Sequence, residues 1–174
     1  KKIINKKKQA LVLLPEIFLT NEFKSRFVDF FGFEPAIWHS KITPKNKRII
    51  WKGVIQNQIR IVVGARSSLL LPFKKLGIII VDEEHDASYK QESPSPRYHA
   101  RDVAIMRGKI ESCSVILSSA TPSLETFYNY KVKKHNYLSL PKRYGVAVYP
   151  KVKVVDLIDE SRETGKFNII ISGT

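Results

Sequence analysis

The stretch Gly77-Ile78-Ile79-Ile80-Val81-Asp82-Glu83-Glu84-His85 joins the most apolar run of the chain directly to three carboxylates and a histidine. A run of β-branched residues without helical spacing is expected to form a strand buried on both faces, as in a parallel sheet covered by helices. In such a sheet ligands gather outside the C-terminal ends of the strands, and the acids fall there. Adjacent like charges repel one another unless a cation or a positively charged partner is bound. A Mg²⁺ held by Asp82 through water, with Glu83 orienting or deprotonating an attacking water, gives both acids a task. The plainer alternative is an acidic turn capping the next element; the strand in front and the histidine behind favour the site.

Outward from this stretch, short apolar runs at 10–14, 35–38, 59–63, 114–117 and 152–155 alternate with longer amphipathic segments. That alternation predicts an α/β fold with a mainly parallel sheet. In Asn21–Phe31, Phe23, Phe27, Phe30 and Phe31 recur at helical spacing and are expected to pack in the core. Thr43-Pro44 reads as an N-cap with proline at the first helical position, opening a helix to about Gln56 that buries Ile50, Trp51 and Val54. Thr121-Pro122 repeats the signal before a helix at 124–130, while 92–96 and 160–166 read as loops. One strand beyond the acids stands Ser118-Ser119-Ala120-Thr121-Pro122, whose hydroxyls can hydrogen-bond to a neighbouring carboxylate or histidine and so sense events at Asp82 to His85.

Lys and Arg number 30 against 16 Asp and Glu, a formal charge of +14. Such an excess is expected to attract a polyanion, most often nucleic acid, through phosphate contacts and counterion release; a merely lysine-rich solvated surface is the alternative. The single cysteine, Cys113, reads as a small core residue in a reducing cytosol and excludes both a disulfide framework and a multi-cysteine zinc site within this chain. No apolar run reaches the roughly 18 residues of a membrane span, and residues 1–8 lack the apolar core of a secretion signal.

Asp82-Glu83-Glu84-His85 and Ser119-Ala120-Thr121-Pro122, at this spacing, resemble motifs II and III of superfamily 2 helicases. Further words narrow the likeness: Val12-Leu13-Leu14-Pro15-Glu16-Ile17, Trp38-His39-Ser40, Gly64-Ala65-Arg66-Ser67-Ser68, Pro72-Phe73-Lys74-Lys75-Leu76-Gly77, Ser88-Tyr89-Lys90-Gln91 and Arg97-Tyr98-His99-Ala100-Arg101-Asp102. With them the chain, from about Gln9 to at least Asp156, is similar to the primosomal, replication-restart branch of the DEAH-type helicases. The resemblance implies a three-layer RecA-like lobe over residues 1–141, followed at 142–174 by an extension toward a second lobe or a zinc-binding region.

The resemblance also implies roles for single residues. Asp82 matches the acid that holds Mg²⁺ through water, Glu83 the water-activating acid, and His85 the residue linking nucleotide state to DNA contacts. Ser119 and Thr121 match coupling hydroxyls. Pro15, Glu16 and Thr20 fall in motif Ia, Arg66 and Ser67 in motif Ib, both lining the single-strand track. Tyr89, Arg97, Tyr98 and Arg101 belong to an aromatic-rich loop that relays DNA binding to the ATPase site. ATP and Mg²⁺ are the implied cofactors, with zinc only in a cysteine-rich module that this chain does not contain.

The implied activity is that of an ATP-dependent DNA helicase that translocates on single strands and reloads the replication machinery at stalled forks in the bacterial cytoplasm. Its implied partners are single-stranded and forked DNA, replication-restart proteins and single-strand binding protein, with no membrane. Another superfamily 2 translocase and a catalytically inactive, basic nucleic-acid-binding module are the alternatives. Two departures stand out: Pro96 occupies a place where the family commonly has Trp, and Ala65 one where it usually has Thr. No Gly-x-x-x-x-Gly-Lys-Ser/Thr word occurs in the chain. That loop cradles phosphates with its backbone amides and lysine, and is expected ahead of the strand at 10–14. The chain on its own is therefore expected to hydrolyse ATP negligibly.

Overall fold

Every apolar run expected as a strand within residues 2–15 and 20–141, which the computed structural model describes, takes a place in one parallel sheet. The elements run α1 (Lys2–Asn5), β1 (Gln9–Leu13), α2 (Asn21–Phe31), β2 (Ala36–Trp38), α3 (Pro44–Ile55), β3 (Ile61–Gly64), β4 (Leu76–Val81), β5 (Lys90–Gln91), β6 (Tyr98–His99), α4 (Ala100–Ile110), β7 (Ser114–Leu117) and α5 (Leu124–Lys131). The sheet order is β2-β3-β1-β4-β7, while β5 and β6 form a separate antiparallel pair. A compact unit Lys1–Asn136 holds all of these elements, and a second unit, Tyr137–Thr174, follows it. The run at 152–155, the loop at 160–166, the expected extension 142–174 and Glu16 lie outside the described residues.

Alternation of side chains along each strand sends its residues to opposite faces, and both faces are covered. On one, Leu11, Leu13, Val62, Ile79 and Val81 meet Ile50 and Val54 of α3, Leu69 and Leu71 of a short 3₁₀ turn (Arg66–Leu70) and its exit, and Ala100 and Ala104 of α4. On the other, Ala10, Leu14, Ile61 and Val63 meet Phe27 of α2, with Ile4 and Phe23 against them. Three layers result. At the N-terminal edge of β1 the buried Gln9 side chain donates to Val54 O (3.0 Å) and Ile59 O (2.8 Å) and accepts from the Lys74 and Lys75 amides (2.9 and 3.0 Å). One polar side chain thus knits the end of α3 and the entrances of β3 and β4 to the central strand.

Helix starts follow the cap chemistry. Thr20 Oγ1 accepts from Phe23 N at 3.2 Å and Thr43 Oγ1 from Asn46 N at 3.3 Å, while Gly32, at φ +81°, ends α2 in the left-handed conformation favoured at helix C-termini. Two expected core aromatics are not buried. Phe23, Phe27 and Phe31 form a stripe one turn apart, whereas Phe30 falls off it and is 61% exposed. Likewise Ile50 and Val54 face the sheet one turn apart, and Trp51 stands beside that stripe, 43% exposed. The last helix starts at Leu124 as expected, but its N-cap is Ser123 rather than Thr121, with Ser123 Oγ accepting from Thr126 N at 3.3 Å.

Helix α4 and the β5–β6 hairpin were not expected. The helix is capped by a histidine, His99 Nδ1 accepting from Arg101 N at 3.3 Å, and faces the sheet with Ala100, Ala104 and Gly108, so it carries neither a usual cap nor a strong apolar period. Its closeness to the sheet requires the glycine: a Cβ on Gly108 would lie 2.2 Å from Val115 Cγ2. No helix among the described residues is long and apolar enough to cross a membrane.

Candidate active site

Beyond Val81 the chain is held from both sides as it leaves the sheet. The Asp82 amide donates to Leu13 O of β1 (3.1 Å), the Glu84 amide to Ser118 O past β7 (3.0 Å), and the Asp86 amide to Glu83 O (2.8 Å). Glu83 sits at φ +46°, a left-handed conformation that costs a non-glycine residue about 1–3 kcal/mol. The kink separates the three acids. Asp82 and Glu83 stay half-buried at the sheet edge, while Glu84 turns inward and is 1% exposed.

Glu84 is therefore not a third charge in the site. Its carboxylate accepts from the Ser123 amide (2.7 Å), the Thr126 hydroxyl (2.9 Å) and the Ser123 hydroxyl (3.1 Å), and Arg101 Nη1 lies at 3.4 Å. Burial pushes this carboxyl up, but those hydrogen bonds and the guanidinium outweigh it and hold it below its ordinary value. The partners lie 17, 39 and 42 positions away, which is why no local pattern disclosed the role.

On the solvent side His85 gathers the other expected groups. Its Nδ1 lies 2.7 Å from Ser119 Oγ and 3.6 Å from Glu83 Oε2, and its Nε2 lies 3.4 Å from Thr121 Oγ1. Ser119 Oγ also accepts from the Thr121 amide at 3.0 Å, which locks the turn after β7 in register with the ring. One histidine thus bridges the ends of β4 and β7 and touches the acid expected to activate water.

The donor set suits a hard cation that keeps much of its own water. Among the described residues no group of three or more His, Cys, Asp or Glu could cage a metal. Mg²⁺ characteristically takes one or two carboxylates and completes its shell with water and substrate phosphates, which Asp82 at the open edge permits.

The residues expected to touch DNA separate into two groups. Tyr89 is 1% exposed inside the main core, its hydroxyl donating to Asp82 O at 2.6 Å. Arg101 is 8% exposed, its guanidinium spent on Glu84, Asp102 (3.0 Å) and Ser123 (2.7 Å). Neither presents itself to a polyanion, because a phenol or guanidinium locked in a buried network has no face left for one. Tyr98 is half-buried against the same core, and Pro15 is buried just past β1.

Arg66, Ser67, Arg97 and Thr20 reach the surface to different degrees. Arg66 Nη1 donates to Ser88 O (3.0 Å) and Lys90 O (2.8 Å), tying the 3₁₀ turn to the hairpin. Ser67 Oγ accepts from Trp38 Nε1 at 3.1 Å. Arg97 lies in the exposed hairpin loop, which Gln91 Nε2 braces by donating to Pro94 O and Pro96 O, and Thr20 caps α2.

The family described as DEAD/DEAH box helicase matches residues 1–129, from α1 into α5. The chain belongs to the DEAD/DEAH box helicases. Its five-stranded parallel sheet with helices on both faces is accordingly a RecA-like helicase lobe, and the use of ATP and Mg²⁺ goes with the family. Among individual proteins, the chain is similar to replication restart protein PriA of Rickettsia prowazekii, 47% identical over 155 residues that make up 89% of this chain and 24% of that protein. The PriA of Bacillus subtilis is 45% identical over 92% of this chain and 20% of its own length. That of Chlamydia muridarum is 41% identical over 96% and 22%. The chain thus spans between a fifth and a quarter of the length of these relatives. The word Asp82-Glu83-Glu84-His85 follows β4 directly, at the C-terminal edge of the sheet.

Proposed function

We propose that this chain is the nucleotide-hydrolysing lobe of an ATP-dependent DNA helicase that moves along single-stranded DNA and returns the replication machinery to stalled forks. The observation that carries the reading is the cluster of Glu83, His85, Ser119 and Thr121, which joins a water-activating acid to a hydroxyl-bearing turn on another strand. ATP with Mg²⁺ supplies the phosphoryl electrophile. Asp82 would hold the cation through water, and Glu83, its carboxylate fixed by the left-handed turn, would orient the attacking water and accept its proton. His85 is placed to register any shift of the Ser119 turn at the acid beside it. The replication-restart relatives and the charge of +14 support DNA as the track. Single-strand binding protein, other restart proteins and forked DNA are the partners proposed with it, in the bacterial cytoplasm.

The test is to exchange the matching segment of the Bacillus subtilis relative for this chain and measure phosphate release with and without oligothymidine. Stimulated release supports the reading; a folded chimera that binds oligothymidine yet hydrolyses no ATP overturns it in favour of a basic binding module.

Arg66 gives the second measurement. With one nitrogen already fastened to two carbonyls, its remaining donors are held in place for a phosphate. A charge-assisted hydrogen bond contributes roughly 1.5–3 kcal/mol, and a solvent-exposed charge about 1 kcal/mol or less. Arg66→Ala is therefore expected to weaken oligothymidine binding about threefold to thirtyfold more than Lys133→Ala at fixed salt. Fluorescence anisotropy reads the difference, and equal affinities would leave only a diffuse basic surface.

A further inference from the structure

Tyr89 is among the largest fully buried side chains, yet it carries a hydroxyl that must find a partner inside the protein. Its ring is fixed in the cluster that contains Leu13, Val81 and Ala100. From there the hydroxyl donates at 2.6 Å to the carbonyl of Asp82, the first residue past β4. That carbonyl belongs to the peptide joining Asp82 to Glu83, and the plane of this peptide sets both ψ of Asp82 and φ of Glu83. On either side the backbone is anchored, Asp82 N–H on Leu13 O and Glu84 N–H on Ser118 O. Between those anchors the Asp82–Glu83 peptide is free to turn unless something grips it, and Glu83 is held at φ +46°.

We propose that Tyr89 is a positioning residue of the active site, its hydroxyl gripping the Asp82–Glu83 peptide so that both carboxylates are presented at the sheet edge. The net worth of one hydrogen bond and the penalty of one left-handed residue are of similar size. Removing the grip therefore tips the balance toward a relaxed Glu83. Burial, followed by the negative charges of Asp82, Asp86 and Glu83, pushes the phenol well above its ordinary value, so the hydroxyl remains a donor throughout the neutral range. This role rests on the hydrolytic reading above, and goes beyond it by naming what holds the two acids in place.

Tyr89→Phe keeps the ring and deletes only the donor. In the chimera described above, kcat is expected to fall about tenfold, equivalent to about 1.4 kcal/mol at the transition state. KM for ATP should stay within about twofold, since binding of the phosphates is not what the turn supplies. In this chain itself, hydrogen exchange at the Glu84 and Asp86 amides should quicken about tenfold while β1 and β4 keep their protection. Unchanged exchange at those two amides, or an unchanged kcat in an active chimera, overturns the proposal. If the chimera carrying native Tyr89 hydrolyses no ATP, the functional reading falls on its own, and the exchange comparison still decides whether Tyr89 holds the turn.

Discussion

Glu83→Gln is expected to lower kcat for ATP hydrolysis by about a hundredfold or more, the factor general acid–base groups ordinarily supply. The amide keeps the size of the side chain and its hydrogen-bonding reach but cannot accept the proton of the attacking water. Oligothymidine affinity and thermal stability should stay close to those of the native protein, because Glu83 is half-buried at the edge and anchors nothing in the core. The measurement is single-turnover phosphate release in the chimera with the Bacillus subtilis relative. Retention of more than a tenth of the native rate would move the catalytic base away from Glu83, with the left-handed turn then left without a chemical reason.

The second large effect concerns stability. Glu84 and Arg101 have side chains 1% and 10% exposed and lie 3.4 Å apart. Arg101 keeps Asp102 at 3.0 Å, so losing the Glu84 charge does not strand it. What is lost is the charge that the Ser123 amide, the Ser123 and Thr126 hydroxyls and Arg101 all address. Hydrogen bonds to a charged group contribute roughly 1.5–3 kcal/mol each. Glu84→Gln should lower the urea midpoint of this chain accordingly. The pH dependence follows from the direction of the shift. The folded chain holds the Glu84 carboxyl below its ordinary 4.5, so the folded state binds that proton more weakly than the unfolded one. The contribution is complete above the ordinary value and is lost as the pH falls through the folded one. The native chain should therefore lose stability more steeply below about pH 4.5 than Glu84→Gln does. Parallel acid limbs for the two proteins would show that Glu84 is not held as a charged, bonded group.

The same pair shows where local reading stops. In sequence, Asp82, Glu83 and Glu84 are three equal acids, and repulsion among them points to a cation for the set. One positive φ at Glu83 sends Glu84 the other way, into a cage made by residues of α4 and of the start of α5. Tyr89 and Arg101 changed meaning for the same reason. Aromatic and basic residues near a loop read as stacking and phosphate contacts, until burial assigns one to the Asp82 carbonyl and the other to Glu84. Phe30 and Trp51 erred in the opposite direction, because proximity in sequence to a buried stripe is not membership of it.

What the sequence determined by itself was set by short-range chemistry: the strands with their β-branched runs, the cap at Thr43, and the acids placed just past the C-terminal end of β4. These follow from propensity, period and capping, which act within a few residues. What tertiary structure alone decided was the direction of each polar side chain, including the meeting of His85 with Ser119 and Thr121, the burial of Glu84, Arg101 and Tyr89, and the seating of α4 on Gly108. Those outcomes depend on partners tens of residues away, and a buried polar group takes whichever partner the closed fold brings within hydrogen-bonding distance, because leaving it unpaired costs more than any local preference can return.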